Sequence, residues 1–589
     1  MMSFAGFWSR ATPPPGSADR IASALRRQAG STLGISTLPS GLASLAGVFG
    51  PGESVGETPD GSVQCVLDGD LYNRADVRKF VTSRTRDLRT DSNAELIAHL
   101  WQAKGRDMLM SLRGGYALAI LDRANSTLFV ARDALGHRPL FVYEGHEGWA
   151  VGSDLRAVLA WPATRPALET RALDHFLAYH IPPQPLTLFR NVRKILPAGW
   201  LEIRNGRVEE GRYWEPTYYD PAGQNPDEVA QHAFSYLFES VKAHTRDLDR
   251  PTVCLEGDPY SAVLAGLASL AKRGRFTTFS LKHAWIPAET RSGTAAAVAR
   301  FGCPHHEEEV AGSIAELLDA IADVNIEGLP ISRMAQAMLF AGSASASSPG
   351  VLTAAGGELY WLAGRRPVPP PLSTLGAWRQ VKESGGSSAG LSVALRAEFE
   401  ARMTVPTAER ASLAGRPGIP ALDAVTEVMK HAATPGEASA AAYVDAACFL
   451  PDLFISPIQA ACRARGFPAR SPLADPSAVQ LLVPVVHSLA GQNPLQGLRR
   501  VFESLVPEDA FWNARWSRPE DWETATWREL GERACDSLTE RRSLERGLFE
   551  GSHVRRLVED QRAGRERNER KLLLLFALEL WMRSGIDPR

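Results

Sequence analysis

The stretch PTVCLEGDPYSAVLAG, residues 251–266, decides the fold of the second half of the chain. The apolar run 252–255 predicts a buried strand, and the small apolar residues from Ser261 onward have helical spacing. Residues 256–260 are then the turn between the two. A strand, a tight turn and a helix are how a parallel sheet presents backbone amides and a positive helix end to phosphate. The stretch therefore predicts a phosphate-binding type of loop in a parallel sheet.

Length and composition indicate a globular protein of more than one domain. Its 589 residues are too many for one core, and 44% hydrophobic with 22% charged residues is ordinary for a soluble protein. The net charge of −2 gives no reason to expect nucleic acid or an anionic membrane as a partner. Because no apolar run approaches the roughly 18 residues that span a bilayer, and the first residues do not resemble a secretory signal, we expect a cytoplasmic protein.

The six cysteines lie far apart, without a CxxC pair. This spacing favours buried free thiols in a reducing compartment over the alternatives, a zinc site or a disulfide framework.

Up to about residue 214 the sequence alternates short strand-like runs with turns and a few helical segments. Residues 62–73 (SVQCVLDGDLYN) predict a strand, a tight turn and a returning strand. Residues 93–104 predict a helix, and residues 115–132 predict a hairpin. Such a pattern usually packs two sheets on one another.

From about residue 215 a polar connection leads into a second domain. A helical stretch at 227–244 comes first, and strand-like runs then alternate with helical ones. The strands are expected at 276–281 and 351–353, and the helices at 292–301 and 314–324. This alternation predicts a doubly wound parallel sheet, so the fold class of the whole chain is α/β plus α+β.

Several phrases of the first half resemble one known family. They are RGGYALAILDR (113–123), LFVARDALGHRPLFVY (128–143), VGSDLRAVLAWP (151–162) and LTLFRNVRKILPAGWLEI (186–203). In this order they are similar to the amino-terminal half of asparagine synthetases. The resemblance implies an Ntn-type, glutaminase-like sandwich over residues 1–214. Within it, 128–140 reads as a strand, a charged turn and a return, and Arg132 and Asp133 are expected to hold the turn together.

The residues that carry glutaminase chemistry in that family are replaced in this chain. Met2 stands where the family's CGIAGF segment has its nucleophilic cysteine, and a thioether cannot attack an amide. Asp68 stands where the NGEIYN segment has its first asparagine, so a carboxylate would oppose the developing oxyanion. Asn93 and Ala94 replace residues of the SDTE segment, and the HRGPDD segment has no counterpart. We therefore expect no glutamine hydrolysis.

The second half resembles the synthetase half of the same family. The pyrophosphate loop SGGxDS appears as Glu256, Gly257, Asp258, Pro259, Tyr260 and Ser261. FTTFSLKH resembles the strand that follows, and TAAGGELY (353–360) resembles the second loop. LPDLFISPIQAACRARGFPARSPLAD (450–475) and the closing helix KLLLLFALELWMRS (571–584) also match. The resemblance implies an adenine nucleotide alpha hydrolase-like (PP-loop) domain over 215–589, with a variable insertion or lid at about 364–436.

The resemblance also implies cofactors and site residues. ATP and Mg²⁺ are the family's cofactors, and their expected contacts here are Leu255, Glu256, Gly257, Asp258, Ser261, Ser280 and Gly356. Glu358 is the candidate catalytic acid. Because the family's catalytic lysine falls on Leu495, Arg515 is the candidate basic residue.

No metal site of the protein's own ligands is predicted. His305 and His306 are adjacent on an expected strand, so they point to opposite faces and at most one could join a site. Few carboxylates remain for magnesium, because the family's DEP segment has become Val324, Asn325 and Ile326.

Two hypotheses of different class follow. The chain is either an ATP-dependent amide-forming ligase without glutaminase, such as a lasso-peptide cyclase acting on a small-molecule or peptide substrate, or a pseudoenzyme. The pseudoenzyme would be a folded scaffold that binds a peptide, a metabolite or an active paralogue. The acidic residues Glu256 and Asp258, at the expected triphosphate position, favour the pseudoenzyme, whereas the family resemblance favours the ligase.

Overall fold

The structure is a computed structural model, which describes residues 3–25, 32–49, 55–85, 87–90, 92–217, 225–282, 288–309, 313–324, 327–344, 350–357, 399–400, 402–416, 418, 421–429, 443–467, 469–482, 499–506 and 519–586. None of the helices in these ranges combines the length and the apolar character needed to cross a bilayer.

The chain forms two compact units. The first is built mainly from Met1–Glu169 and Gln184–Glu215, and the second mainly from Thr170–Pro183, Pro216–Arg465 and Ala469–Arg589. The expected first domain, 1–214, thus differs from the first unit at 170–183. The cause is local packing, because the amides of Thr404 and Val405 donate to the carbonyls of Ala178 and Leu177.

The first unit contains two antiparallel sheets, in the orders β10-β8-β9-β1-β3-β2 and β12-β11-β7-β6-β5-β4. The strands are β1 Ser3–Ser9, β2 Thr32–Thr37, β3 Ala43–Phe49, β4 Gly56–Glu57, β5 Val63–Leu71, β6 Gly114–Asp122, β7 Thr127–Arg132, β8 Phe141–Gly145, β9 Gly148–Gly152, β10 Val192–Lys194, β11 Gly199–Arg204 and β12 Arg207–Arg212. The helices are α1 Ser17–Leu25, α2 Arg74–Thr82, α3 Asn93–Lys104 and α4 Leu155–Leu159, with a 3-10 helix at Gly105–Ser111.

Alternate residues of both sheets fill the core between them. Phe4 and Leu45 from one sheet meet Val66, Ala119 and Val130 from the other. The opposite face of the second sheet packs under α2 and α3 through a separate apolar cluster. This arrangement confirms the predicted Ntn-type sandwich, the helix at 93–104 and the hairpin, which β6 and β7 form.

The predicted turn within residues 62–73 is wrong. Val63–Leu71 is one uninterrupted strand, paired with β6 along its whole length. Gly69 has φ +129°, and a Cβ there would lie 2.1 Å from the carbonyl oxygen of Gly115. The Asp-Gly pair therefore meets a close approach of the neighbouring strand and does not mark a turn.

The charged turn after β7 has the structural role that the sequence predicts. Arg132 donates to the carbonyls of Arg138 (2.6 Å), Ile195 (2.7 Å) and Gly136 (2.9 Å). The Asp133 carboxylate accepts from the amides of His137 (3.0 Å) and Arg138 (3.1 Å) and contacts the His137 ring. The strand that follows, β8, joins the other sheet, so the chain crosses between the two sheets and does not return beside β7.

The second unit contains a parallel sheet in the order β15-β14-β13-β16-β17. Its strands are β13 Thr252–Cys254, β14 Thr277–Lys282, β15 His305–Glu309, β16 Val351–Leu352 and β17 Ala469–Arg470. Its helices are α5 Thr170–Tyr179, α6 Pro226–Thr245, α7 Pro259–Lys272, α8 Ala288–Phe301, α9 Leu318–Val324, α10 Ile331–Ala344, α11 Thr407–Ala414, α12 Leu422–Met429, α13 Ser456–Ala464, α14 Pro519–Thr539, α15 Arg541–Glu545, α16 Gly551–Arg562 and α17 Glu569–Gly585, with a π-helix at Asp445–Ile455.

This sheet confirms the predicted doubly wound parallel fold. The predicted strands and helices of this half are present, with ends shifted by a few residues. The expected insertion, 364–436, lies largely outside the described residues. All six cysteines are buried thiols that form no disulfide, as predicted.

Burial of His175 should make the second unit sensitive to acid. This side chain is fully buried on α5, and neither ring nitrogen has a hydrogen-bond partner among the described residues. Burial, with Arg171 and Arg410 nearby, lowers the pKa of His175 to about 4. Because the unfolded chain titrates near 6.5, it binds a proton that the folded state excludes, and stability falls as pH drops from about 6.5 towards 4.

Between pH 7.5 and 5, we predict that titration of His175 costs the parent protein about 2 kcal/mol of unfolding free energy, and that His175→Leu does not show this loss. Urea unfolding at the two pH values measures this. His306→Leu, which alters an exposed histidine, should show the same pH dependence of stability as the parent protein. An unchanged dependence in the His175 variant would contradict the prediction.

Candidate functional site

The loop after β13 is closed by a carboxylate from the chain itself. Asp258 is the N-cap residue of α7, and its side chain accepts a hydrogen bond from the Ser261 amide at 2.8 Å. The Ser261 hydroxyl donates to the carbonyl of Asp258 at 3.0 Å. Pro259 occupies the first helical turn and has no amide to donate. The positive end of this helix therefore already faces a negative charge.

Glu256 adds a second carboxylate to the same turn. Its amide donates to the Ser261 hydroxyl at 3.2 Å, and its side chain accepts from the Gln336 amide nitrogen on α10 at 3.3 Å. Burial raises the pKa of the Cys254 thiol, and the charges of Glu256 and Asp258 raise it further. The electrostatic environment at the end of β13 is therefore negative.

The two glycine-containing loops touch through an aromatic ring. Tyr260 is 8% exposed, and a Cβ on Gly357 would lie 2.5 Å from its Cγ. Gly356 has φ +102° and packs closely against Ala474. The side chain of Tyr260 thus packs against Gly357 in the loop that follows β16.

Leu255 and Ser280, which also belong to the predicted site, form hydrogen bonds to neighbouring strands of the sheet. The Leu255 amide donates to the carbonyl of Phe279 at 2.8 Å. The Ser280 hydroxyl bonds the Nε2 atom of His305 at 3.2 Å, and Thr278 bonds Nδ1 of the same ring at 3.0 Å. His306 turns to the other face and pairs with Glu308 at 2.7 Å. The described residues hold no group of three His, Cys, Asp or Glu side chains placed for a metal ion.

The structure brings most of the predicted nucleotide contacts together. Leu255, Glu256, Gly257, Asp258 and Ser261 form one turn, and the second loop, with Gly356, lies against it through Tyr260. The catalytic candidates Glu358 and Arg515 lie outside the described residues, as do Leu495 and Met2.

The loop as described fits a pyrophosphate group poorly. An anion would need amide donors that Pro259 lacks and that Ser261 gives to Asp258, and it would meet two carboxylates. Sequence reasoning missed the roles of Tyr260 and Gln336. A large aromatic residue at the position of a small acidic one was the available signal for Tyr260, but nothing marked Gln336.

In the first unit, the residues at the positions of the family's glutaminase motifs form hydrogen bonds and ion pairs with their neighbours. Asp68 is 1% exposed and lies 3.8 Å from the guanidinium of the buried Arg138. The Asn93 side chain donates to Asp70 at 3.2 Å. Glu95 accepts from the amides of Arg89 (2.6 Å) and Thr90 (2.7 Å). The carboxylate at position 68 therefore lies beside a cation within the sandwich.

The sandwich and the parallel sheet define a class of protein: an amidotransferase-like unit joined to an α/β unit with a nucleotide-type loop. A glutamine amidotransferase domain model matches residues 55–214, and an asparagine synthase model matches residues 235–583. The second match covers more than half of the chain. The chain belongs to the asparagine synthase family.

Individual relatives match over a smaller part. A Mycobacterium bovis protein that carries the name glutamine-hydrolysing asparagine synthetase is 30% identical over 232 residues, 38% of this chain and 35% of that protein. Asparagine synthetase 3 of Bacillus subtilis is 26% identical over 225 residues, 37% of this chain and 36% of that protein. The chain thus spans about a third of the length of these relatives. The solved glutamine phosphoribosylpyrophosphate amidotransferase of B. subtilis is 13% identical, with a TM-score of 0.29, over 53% of this chain and 82% of that one.

We predict that Asp258→Ala lowers the free energy of unfolding by about 1 kcal/mol, because the α7 cap is lost. Asp258→Asn should be nearly neutral, since asparagine caps equally well. Urea unfolding of the two variants beside the parent protein measures the difference. Equal losses in both would mean that charge, and not the capping bond, is what matters.

Proposed function

We propose that this member of the asparagine synthase family is non-catalytic, with neither glutaminase nor adenylating activity. It acts as a binding or scaffold protein for a peptide, a metabolite or an active paralogue. The family's reaction forms an amide at the cost of ATP, so its first requirement is a site for the triphosphate.

The hydrogen bond between the Asp258 carboxylate and the Ser261 amide carries this proposal. A phosphate oxygen placed about 4 Å from one carboxylate meets a repulsion of about 4 kcal/mol at an effective dielectric near 20. Two carboxylates are present, and the side chain of Tyr260 packs against Gly357 of the second loop. The charge and the shape of the loop therefore both disfavour the nucleotide.

Residues of the first half of the chain support the proposed absence of glutaminase activity. The oxyanion of amide hydrolysis needs neutral donors or positive charge. Asp68 supplies a negative charge at that position, and Arg138 lies beside it at 3.8 Å. Met2, at the position of the nucleophile, offers a thioether in place of a thiol.

A second candidate is an ATP-dependent amide-forming ligase, such as one that closes a peptide macrolactam. The observation that favours it is the proximity of Glu256 and Asp258 on one turn, since magnesium prefers carboxylate oxygens. Such an enzyme would take ATP, Mg²⁺ and a carboxylate of a small molecule or peptide. Its amine would come from the substrate itself.

Nucleotide titration separates the two candidates. Isothermal titration of the full chain with Mg·ATP should show no binding at millimolar concentrations if the protein is non-catalytic. Micromolar binding, or pyrophosphate release that depends on a carboxylate substrate, would overturn the proposal and establish the ligase.

We predict that Glu256→Ser, Asp258→Gly and Tyr260→Asp together create measurable Mg·ATP affinity, because they restore the family's loop pattern. A matched variant, Glu228→Ser on the exposed start of α6, removes the same net number of carboxylates, one, from the unit without touching the loop. It should gain no affinity. Equal gains in both variants would show that total charge, and not the loop, excludes the nucleotide.

A further inference from the structure

The outermost described strand of the parallel sheet is unusually acidic. β15, His305–Glu309, pairs with β14 on one side only, in the order β15-β14-β13-β16-β17. Three of its five residues are glutamates, and Glu307 and Glu309 are exposed. An exposed strand edge is a template for pairing with another extended chain.

The register identifies which backbone groups face outward. The Thr278 amide donates to the carbonyl of Pro304 at 2.9 Å, and Thr278 is paired with His305. In a parallel ladder this places the backbone groups of His306 and Glu308 toward β14. The N–H and C=O groups of His305, Glu307 and Glu309 therefore point away from the sheet, where the described residues place no further strand.

The charges restrict what can pair there. A second copy of β15 would place carboxylates opposite carboxylates, which is destabilising. An extended segment with lysine or arginine at alternate positions would instead place cations beside Glu307 and Glu309, which share one face of the strand. The same charges explain why the edge would not aggregate with itself.

We propose that β15 is a docking site for an extended basic peptide segment, which pairs with the outer edge of β15 as an added strand. Main-chain hydrogen bonds would align the peptide with β15, and the glutamates would favour peptides with basic side chains. The site is separate from the loop after β13, so the proposal does not depend on whether the protein binds ATP.

The test uses the full chain and a fluorescent peptide of alternating lysine and threonine, measured by anisotropy. Glu307→Pro removes an outward N–H while leaving the bonds to β14, because proline is tolerated at an edge when its nitrogen faces outward. Glu307→Lys with Glu309→Lys reverses the charge. Each variant should weaken binding at least about tenfold.

The matched control is Glu228→Lys with Glu239→Lys, two exposed positions on α6 that change the net charge equally. It should bind the peptide like the parent protein, and a peptide methylated on its backbone nitrogens should not bind. Thermal melts establish that each variant is folded. The proposal is overturned if the parent protein does not bind the peptide, if the α6 variant weakens binding as much as the β15 variants, or if backbone methylation has no effect.

Discussion

The amides in the first turn of helix α7 need a hydrogen-bond acceptor, and the rest of the loop after β13 is arranged around that need. The first turn of any helix presents amides without internal partners, and an anion or a side-chain oxygen must satisfy them. Here the Asp258 carboxylate takes that role at 2.8 Å from the Ser261 amide. A loop of this geometry can serve a ligand only when the chain leaves the position open. In this chain the cap and the ligand would compete for one site.

Other contacts reinforce that closure from different sides. The Glu256 carboxylate bonds Gln336 on α10, and the ring of Tyr260 lies against Gly357 in the second loop. Each contact links the turn to an element from elsewhere in the second unit. The turn is therefore held by hydrogen bonding, by charge and by packing together. Loss of any single contact leaves the other two in place.

Both units keep the fold, while the side chains at the positions of the family's chemistry contact their neighbours. The sandwich keeps its sheets, its core and the charged turn held by Arg132 and Asp133. At the positions where the family's chemistry would lie, the side chains contact one another, as Asp68 does with Arg138. Fold and activity make separate demands on a sequence, because packing requires apolar periodicity whereas catalysis requires a few chemically suited groups.

Local periodicity in the sequence determined the sandwich, the parallel sheet and the ends of helices such as Asn93–Lys104, because burial of one face imposes a repeat of two or 3.6 residues. The composition of the turn at 256–261 likewise indicated a negative loop. Only the tertiary structure decided that Gly69 lies within a strand, that Tyr260 meets Gly357 and that Glu256 meets Gln336. These contacts join residues far apart in the chain, so no local pattern encodes them.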